Sequence, residues 1–261
     1  MDFDLTIIGS GPGGYVAAIR GAQLGLKVAI VEREALGGIC LNWGCIPTKS
    51  FLRSAEVLKI IEGSEKYGIK SKLGDIDIHE VVKRSRSIAK KLSSGVKYLL
   101  NKNKVKIFVG EASFKNSKSV RIIDKNNVVK EITSKNICIA SGGRPREISG
   151  IANSSNVWFY KEALQVDKIP NKLLVVGSGA IGVEFASFFA QMGSDVSLLE
   201  SKPSILPNED IEISNFVEKQ FLKRGIKVYK NHSLLSLEEK GSSFFSEGTF
   251  SCFCSQYEKD S

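Results

Sequence analysis

Leu5-Thr6-Ile7-Ile8-Gly9-Ser10-Gly11-Pro12-Gly13-Gly14 carries an apolar strand into a glycine turn. A small-residue helix follows from Tyr15 to about Leu24, and a second strand from Lys27 to Val31 ends at Glu32. In this strand–turn–helix–strand setting, G-x-G-x-x-G is a dinucleotide fingerprint. Gly9 permits the tight turn, Gly11 lets the backbone approach a pyrophosphate, and Gly14 packs helix on strand. Glu32, 23 residues after Gly9, is placed to accept hydrogen bonds from an adenosine ribose.

The same unit returns 168 residues later. Leu173 to Val176 reads as a strand, Gly177-Ser178-Gly179-Ala180-Ile181-Gly182 opens a helix, and Val196 to Leu199 leads into Glu200. Ala22-Gln23-Leu24-Gly25 is echoed by Ala190-Gln191-Met192-Gly193 at that offset. Two fingerprints imply two dinucleotides in one chain. Glu200 repels a 2′-phosphate and no Arg follows it directly, so the second site favours NAD over NADP, although Lys202 is close by.

Between the repeats lies Gly37-Gly38-Ile39-Cys40-Leu41-Asn42-Trp43-Gly44-Cys45-Ile46-Pro47-Thr48-Lys49-Ser50. Pro47 suits the first turn of a helix, which places Cys45 near a helix N-terminus, where unpaired N–H groups favour a thiolate. Cys40 is within bridging reach across a glycine-containing loop, and the pair reads as a redox disulfide. The C-x4-C spacing alone equally fits two unreactive cysteines or half of a zinc site.

The rest of the composition narrows the class. With 261 residues, 42% of them hydrophobic and 25% charged, the chain holds one large domain or two modest ones. The segment before Gly9 is too short for a signal-peptide core or a membrane span, which predicts a cytoplasmic protein without a membrane segment. Five cysteines in a reducing compartment point to catalytic or incidental thiols rather than a structural framework. The net charge of +9 is mostly Lys spread along the chain, a solvated surface rather than a nucleic-acid footprint.

Further on, a helix is expected from Pro47 to about Ile61 and a longer amphipathic one from Ile76 to about Leu100. The second places Val81, Val82, Ile88, Leu92, Val96 and Leu99 on its apolar side, and Lys83, Arg84, Arg86, Lys90 and Lys91 on a solvated side. Strands at Lys104–Val109, Ser119–Ile123, Val128–Ile132 and Asn136–Ile139, with a turn at Asn126-Asn127, suggest a small antiparallel sheet beside a parallel one. Ser141-Gly142-Gly143-Arg144-Pro145 closes that region, and Ile148 to Ser155 reads as a polar linker.

With a flavin-type fingerprint, a C-x4-C directly after its second strand and an NAD-type fingerprint downstream, residues 1 to about 240 resemble the flavin-dependent disulfide reductases of the class I pyridine nucleotide-disulfide oxidoreductase family. The run Gly38 to Lys49 is similar to that of the dihydrolipoamide dehydrogenases rather than the glutathione or mercuric reductases. Glu200 with Ile205-Leu206-Pro207-Asn208-Glu209-Asp210 and Glu212-Ile213-Ser214 is similar to the same group. The resemblance implies an α/β fold of two Rossmann-like domains, the first with an inserted antiparallel sheet. It implies FAD held by Gly9, Gly11, Gly14, Glu32, Lys49, Ser141 and Gly142, and NAD held by Gly177, Gly179, Gly182 and Glu200. Cys40 would exchange with dihydrolipoamide, Cys45 would lie against the flavin as a charge-transfer thiolate, and Lys49 would sit by the flavin and pair with Glu184. The implied partners are the lipoyl domain of a 2-oxo acid dehydrogenase complex and, for full-length members, a second copy in a homodimer.

The sequence departs from the family pattern at its end. The C-terminal dimerisation domain, with its His–Glu base, is expected to be absent, and His79 and His232, which both read as surface residues, are no substitute for that base. The domains expected are 1–147 for FAD and the disulfide, 148–241 for an incomplete NAD domain, and 242–261 as an aberrant or disordered tail. That tail has six Ser, four Phe and Cys252-Phe253-Cys254 without helical or strand periodicity, and no metal site is expected there. Turnover by a truncated chain is therefore in question. A non-catalytic FAD- and NAD-binding remnant, another disulfide reductase of the same fold, and a protein that merely docks on the complex remain open.

Overall fold

The computed structural model describes residues 1–145, 156–234, 250–254 and 257–258, in two compact units. The first comprises Met1–Pro47 and Arg86–Gly143; the second comprises Thr48–Ser85 and the described part of Arg144–Glu258. The boundaries fall inside two helices, α3 (Cys45–Glu62) and α4 (Ile78–Lys102).

In the first unit, β1 (Phe3–Ile8), α1 (Pro12–Gln23) and β2 (Val28–Glu32) form the expected parallel unit. The short helix α2 (Gly38–Trp43) follows. Further along come β3 (Lys106–Val109), β4 (Glu111–Asn116), β5 (Ser119–Ile123) and β6 (Val129–Ile139). All join one six-stranded sheet in the order β3-β2-β1-β6-β5-β4. β2 is buried on both faces, as a covered parallel strand must be. Its side chains alternate between two cores. Val28 and Ile30 meet Ile7, Ala18, Val96 and Leu100, while Ala29 and Val31 meet Phe3, Val120, Ile122 and Ile132.

Several expectations are corrected here. Val128–Ile132 and Asn136–Ile139 are parts of one strand, β6, whose first half pairs antiparallel with β5 and whose second half pairs parallel with β1. The expected inserted antiparallel sheet is thus β4, β5 and the first half of β6, joined to the parallel strands through the second half of β6. β4 carried no sequence signal because nearly every residue in it is exposed. On α4, Leu92 and Leu99 are each 42% exposed, and Ala89 and Leu100 are buried instead. A 25-residue helix drifts in phase, so an apolar stripe read at one end is displaced at the other.

The second unit repeats the plan with β9 (Lys172–Val176), α6 (Ala180–Gln191), β10 (Asp195–Leu199), α7 (Ile211–Lys223) and β11 (Lys227–Tyr229). Before it lie β7 (Arg144–Pro145), β8 (Val157–Trp158) and α5 (Tyr160–Ala163); after it come β12 (Phe250–Cys254) and β13 (Tyr257–Glu258). The larger sheet has the order β11-β10-β9-β12-β8, and β13 pairs antiparallel with β7. Contrary to the expectation of an aberrant tail, Phe250–Cys254 forms a strand parallel to β9 and β8. A strand flanked on both sides needs no polar alternation, which is the pattern whose lack argued against it. The side chains of Cys252 and Cys254 and the proposed linker at 148–155 lie outside the described residues.

Thr48–Ser85, read from sequence as part of the first domain, belongs to the second unit because its apolar residues share that core. Phe51, Ala55, Leu58 and Ile78 pack with Leu173, Phe185, Phe188 and Phe189, and the Phe51 and Phe188 rings lie 4.7 Å apart. Among the described residues no helix is long and apolar enough to cross a membrane.

Candidate active site

The first fingerprint is a turn that only glycine fits. Gly9 has φ +100°, its N–H donates to Val31 O at 2.8 Å, and a Cβ on it would lie 2.1 Å from the Ala140 carbonyl oxygen. Ser141 follows directly, its Cα 3.2 Å from the same Cβ position. Gly11 is the N-cap of α1, and Gly179 holds the same place on α6. Neither cap has a side-chain hydrogen bond, and a Cβ at either position would meet nothing within 4 Å. The first-turn N–H groups of each helix thus have no side-chain cap, and such groups are the donor set that a pyrophosphate takes.

Behind each turn stands a serine–glutamate clamp that sequence reasoning passed over. Ser10 and Ser178 are both fully buried. Ser10 donates its N–H and hydroxyl to Glu32 Oε2 at 3.0 and 2.5 Å; Ser178 donates the same two groups to Glu200 Oε2 at 2.9 and 2.5 Å. A serine recurring at the same offset of 168 in both fingerprints was the available signal. Glu200 is 5% exposed, and burial opposes its charge. The bonds from Ser178, Lys202 and Ser201 outweigh that, holding its carboxyl below the usual carboxylate value.

Cys40 and Cys45 are joined as a disulfide, with Cα atoms 4.7 Å apart. Cys40 sits on α2, not on the loop expected, and Cys45 is the first residue of α3. The disulfide segment rests on the first fingerprint. Gly37 N–H donates to Ser10 O at 3.0 Å, and a Cβ on Gly38 would lie 2.6 Å from Gly11 Cα.

A second set of contacts fixes the residues between the cysteines. Buried Asn42 donates to Leu36 O at 3.0 Å and Gly38 O at 2.9 Å, and Ser93 of α4 also donates to Leu36 O at 2.8 Å. Arg86, expected on a solvated face, stacks on Trp43 with its guanidinium carbon 3.7 Å from the ring centroid and donates to the Asn42 carbonyl. Arg84, itself exposed, also reaches back within its own unit and donates to Ser50 O and Oγ at 3.1 and 2.8 Å. Long basic stems reach back to the helix's flank, so position on a helical wheel does not decide where their heads lie.

In the second unit, Lys49 of α3 donates to Glu184 of α6. Gly177 has φ +92°, and its N–H donates to Leu199 O at 2.8 Å, repeating the Gly9 contact. Gly182 is buried on α6. His79 and His232 are exposed, and among the described residues no group of His, Cys, Asp and Glu could hold a metal ion.

The sequence model of pyridine nucleotide-disulphide oxidoreductases matches residues 3–251. The chain belongs to this family. Curated members similar to it include the dihydrolipoyl dehydrogenases of Zymomonas mobilis, 50% identical over 236 residues, and of Rhizobium etli, 47% identical over 259 residues. These alignments cover 90% and 92% of the chain but 51% and 53% of those proteins, so the chain spans about half the length of the curated relatives it matches. Among solved structures, the HOCl-induced flavoprotein disulfide reductase RclA from Escherichia coli, as its copper(II) complex, superposes with TM-score 0.83 at 25% identity, over 98% of this chain and 56% of that one. LpdA from Mycobacterium tuberculosis gives TM-score 0.87 at 22% identity, over 97% and 58%, a likeness of fold. The family is one of flavoprotein oxidoreductases using FAD and a nicotinamide dinucleotide, and in this member the redox disulfide is Cys40–Cys45.

Proposed function

We propose that the chain carries the thiol-oxidising half of a dihydrolipoyl dehydrogenase. The observation that supports this most directly is the seating of the Cys40–Cys45 segment on the first fingerprint, through Gly37 on Ser10 and Gly38 on Gly11. The dithiol of a protein-bound dihydrolipoyl group, on a 2-oxo acid dehydrogenase complex, attacks the disulfide. One substrate thiolate bonds to Cys40 and releases Cys45 as thiolate; the second substrate thiolate then displaces Cys40. The products are a cyclic lipoyl disulfide and two protein thiols, with two electrons and two protons transferred. Cys45 suits the leaving role, since the N–H groups of the first turn of α3 stabilise its negative charge.

The residues present fit the two dinucleotides. Gly11 and Gly179 leave room for a pyrophosphate, the uncapped N–H groups of α1 and α6 supply donors, and Glu32 and Glu200 supply ribose acceptors. Gly9, Gly14, Ser141, Gly142 and Lys49 complete the proposed FAD set, and Gly177 and Gly182 the NAD set. FAD, when bound, supplies the two-electron chemistry that links a dithiol to NAD. Lys49, held by Glu184, is the residue proposed to face the flavin.

The test is a visible absorption spectrum of the purified chain with FAD, before and after a dithiol. A flavin band that gains long-wavelength absorbance on reduction, and loses that gain in C45S, supports the reading. A chain that stays colourless after incubation with FAD overturns it.

A further inference from the structure

The two ribose-reading carboxylates are held by unequal numbers of donors. Glu32 accepts Ser10 N–H and hydroxyl on Oε2, and Glu34 N–H at 2.8 Å on Oε1. Glu200 accepts the equivalent three, the last from Lys202 N–H at 2.9 Å, and a fourth from the Ser201 hydroxyl at 3.3 Å on Oε1. A carboxylate offers about four lone-pair positions. By these bonds Glu32 keeps one acceptor position open, and Glu200 is full. The residue after the acid makes the difference. In the first unit it is Arg33, whose guanidinium lies 3.9 Å from Glu34 and Glu111 instead. In the second it is Ser201, short enough to fold back onto its neighbour.

We propose that the Ser201 hydroxyl is a built-in competitor for ribose. It occupies on Glu200 the acceptor position that an adenosine ribose hydroxyl takes, and so makes the second site the more readily exchanged of the two. This rests on the reading of the second fingerprint as the NAD site. Of the four bonds to Glu200 that from Ser201 is the longest, and it comes from an exposed residue, so it is the one a ribose displaces. Docking a dinucleotide at the open position of Glu32 breaks none of these bonds, whereas docking one at Glu200 first breaks the bond from Ser201 to a charged acceptor. Ser201 acts through Glu200 and is a positioning residue.

The experiment titrates NAD, and separately ADP-ribose, into the full chain and reads affinity by calorimetry for the unmodified protein, S201A, S178A and E200A. Removing the competitor is expected to tighten both ligands in S201A by about two- to fivefold. Loss of the clamp in S178A is expected to weaken both by about fivefold or more. A purely structural role for Ser201 predicts unchanged or weaker binding in S201A, and that result, with binding still lost in E200A, overturns the proposal alone. No NAD binding by the unmodified chain, or equal binding by E200A, overturns the reading of the site and the proposal with it.

Discussion

Ser178 turns both its N–H and its hydroxyl onto one carboxylate oxygen of Glu200, at 2.9 and 2.5 Å. The bond set at that oxygen ties the fingerprint turn after β9 to the end of β10, so one buried charge joins the turn to the neighbouring strand. Ser10 and Glu32 do the same in the first unit.

Acid should loosen the second unit through Glu200. Its folded pKa lies below the usual glutamate value, so its contribution to stability is fully present above that value. It is lost as pH falls through the folded value. E200Q should unfold more easily at pH 7, by about 1–3 kcal/mol, because a glutamine amide cannot accept from Lys202 N–H as Oε1 does. Its melting temperature should also fall less steeply than the unmodified chain's below about pH 4.5. Thermal melts from pH 3 to 7 decide this, and parallel slopes would refute it.

Two glycines in equivalent-looking motifs should respond oppositely to alanine. G9A forces a side chain onto the Ala140 carbonyl at a left-handed φ, and a loss of about 3 kcal/mol or failure to fold is expected. G179A has open space and an extended backbone, so its melting temperature should stay within about 2 °C. NAD affinity in G179A should nevertheless drop about tenfold or more, since the added methyl enters the pyrophosphate's approach. If G179A binds NAD normally, the open face of that turn is not the phosphate site.

Arg86 should set how tightly the two active thiols are held together. R86A removes the stack on Trp43 and the bond to the Asn42 carbonyl, freeing the segment between the cysteines. A tenfold fall in effective thiol concentration would raise the disulfide's reduction potential by about 30 mV, read by equilibration with glutathione. R86K should recover little, because an ammonium lacks the planar face and the fork. A potential unchanged in R86A would show that α2 and α3 hold the pair unaided.

The Lys49–Glu184 pair should matter little for stability. Lys49 is 60% exposed and Glu184 25%, a setting in which ion pairs are worth about 0–1 kcal/mol. K49M should therefore melt within about 2 °C of the unmodified chain while shifting the absorption maximum of bound flavin. Marked destabilisation with an unshifted spectrum would make the pair a structural tie and remove Lys49 from the proposed flavin site.

The sequence alone determined what depends on short-range pattern. The two fingerprints, their strands and helices, the acids 23 residues after each first glycine, and the α/β class follow from local rules of turn geometry and periodicity, which a few neighbouring residues satisfy by themselves. Only the tertiary structure decided what depends on residues far apart in the chain. Thr48–Ser85 joins the second unit because Phe51 finds Phe188, a contact no local pattern announces. Arg86 leaves the solvated face of α4 because Trp43 offers its ring. Phe250–Cys254 becomes a strand because β8 and β9 flank it, although the stretch by itself shows neither helical nor strand periodicity. The clamps on Glu32 and Glu200 lay between these cases, since the serines were visible twice over but their bonds exist only once strand and turn are brought side by side.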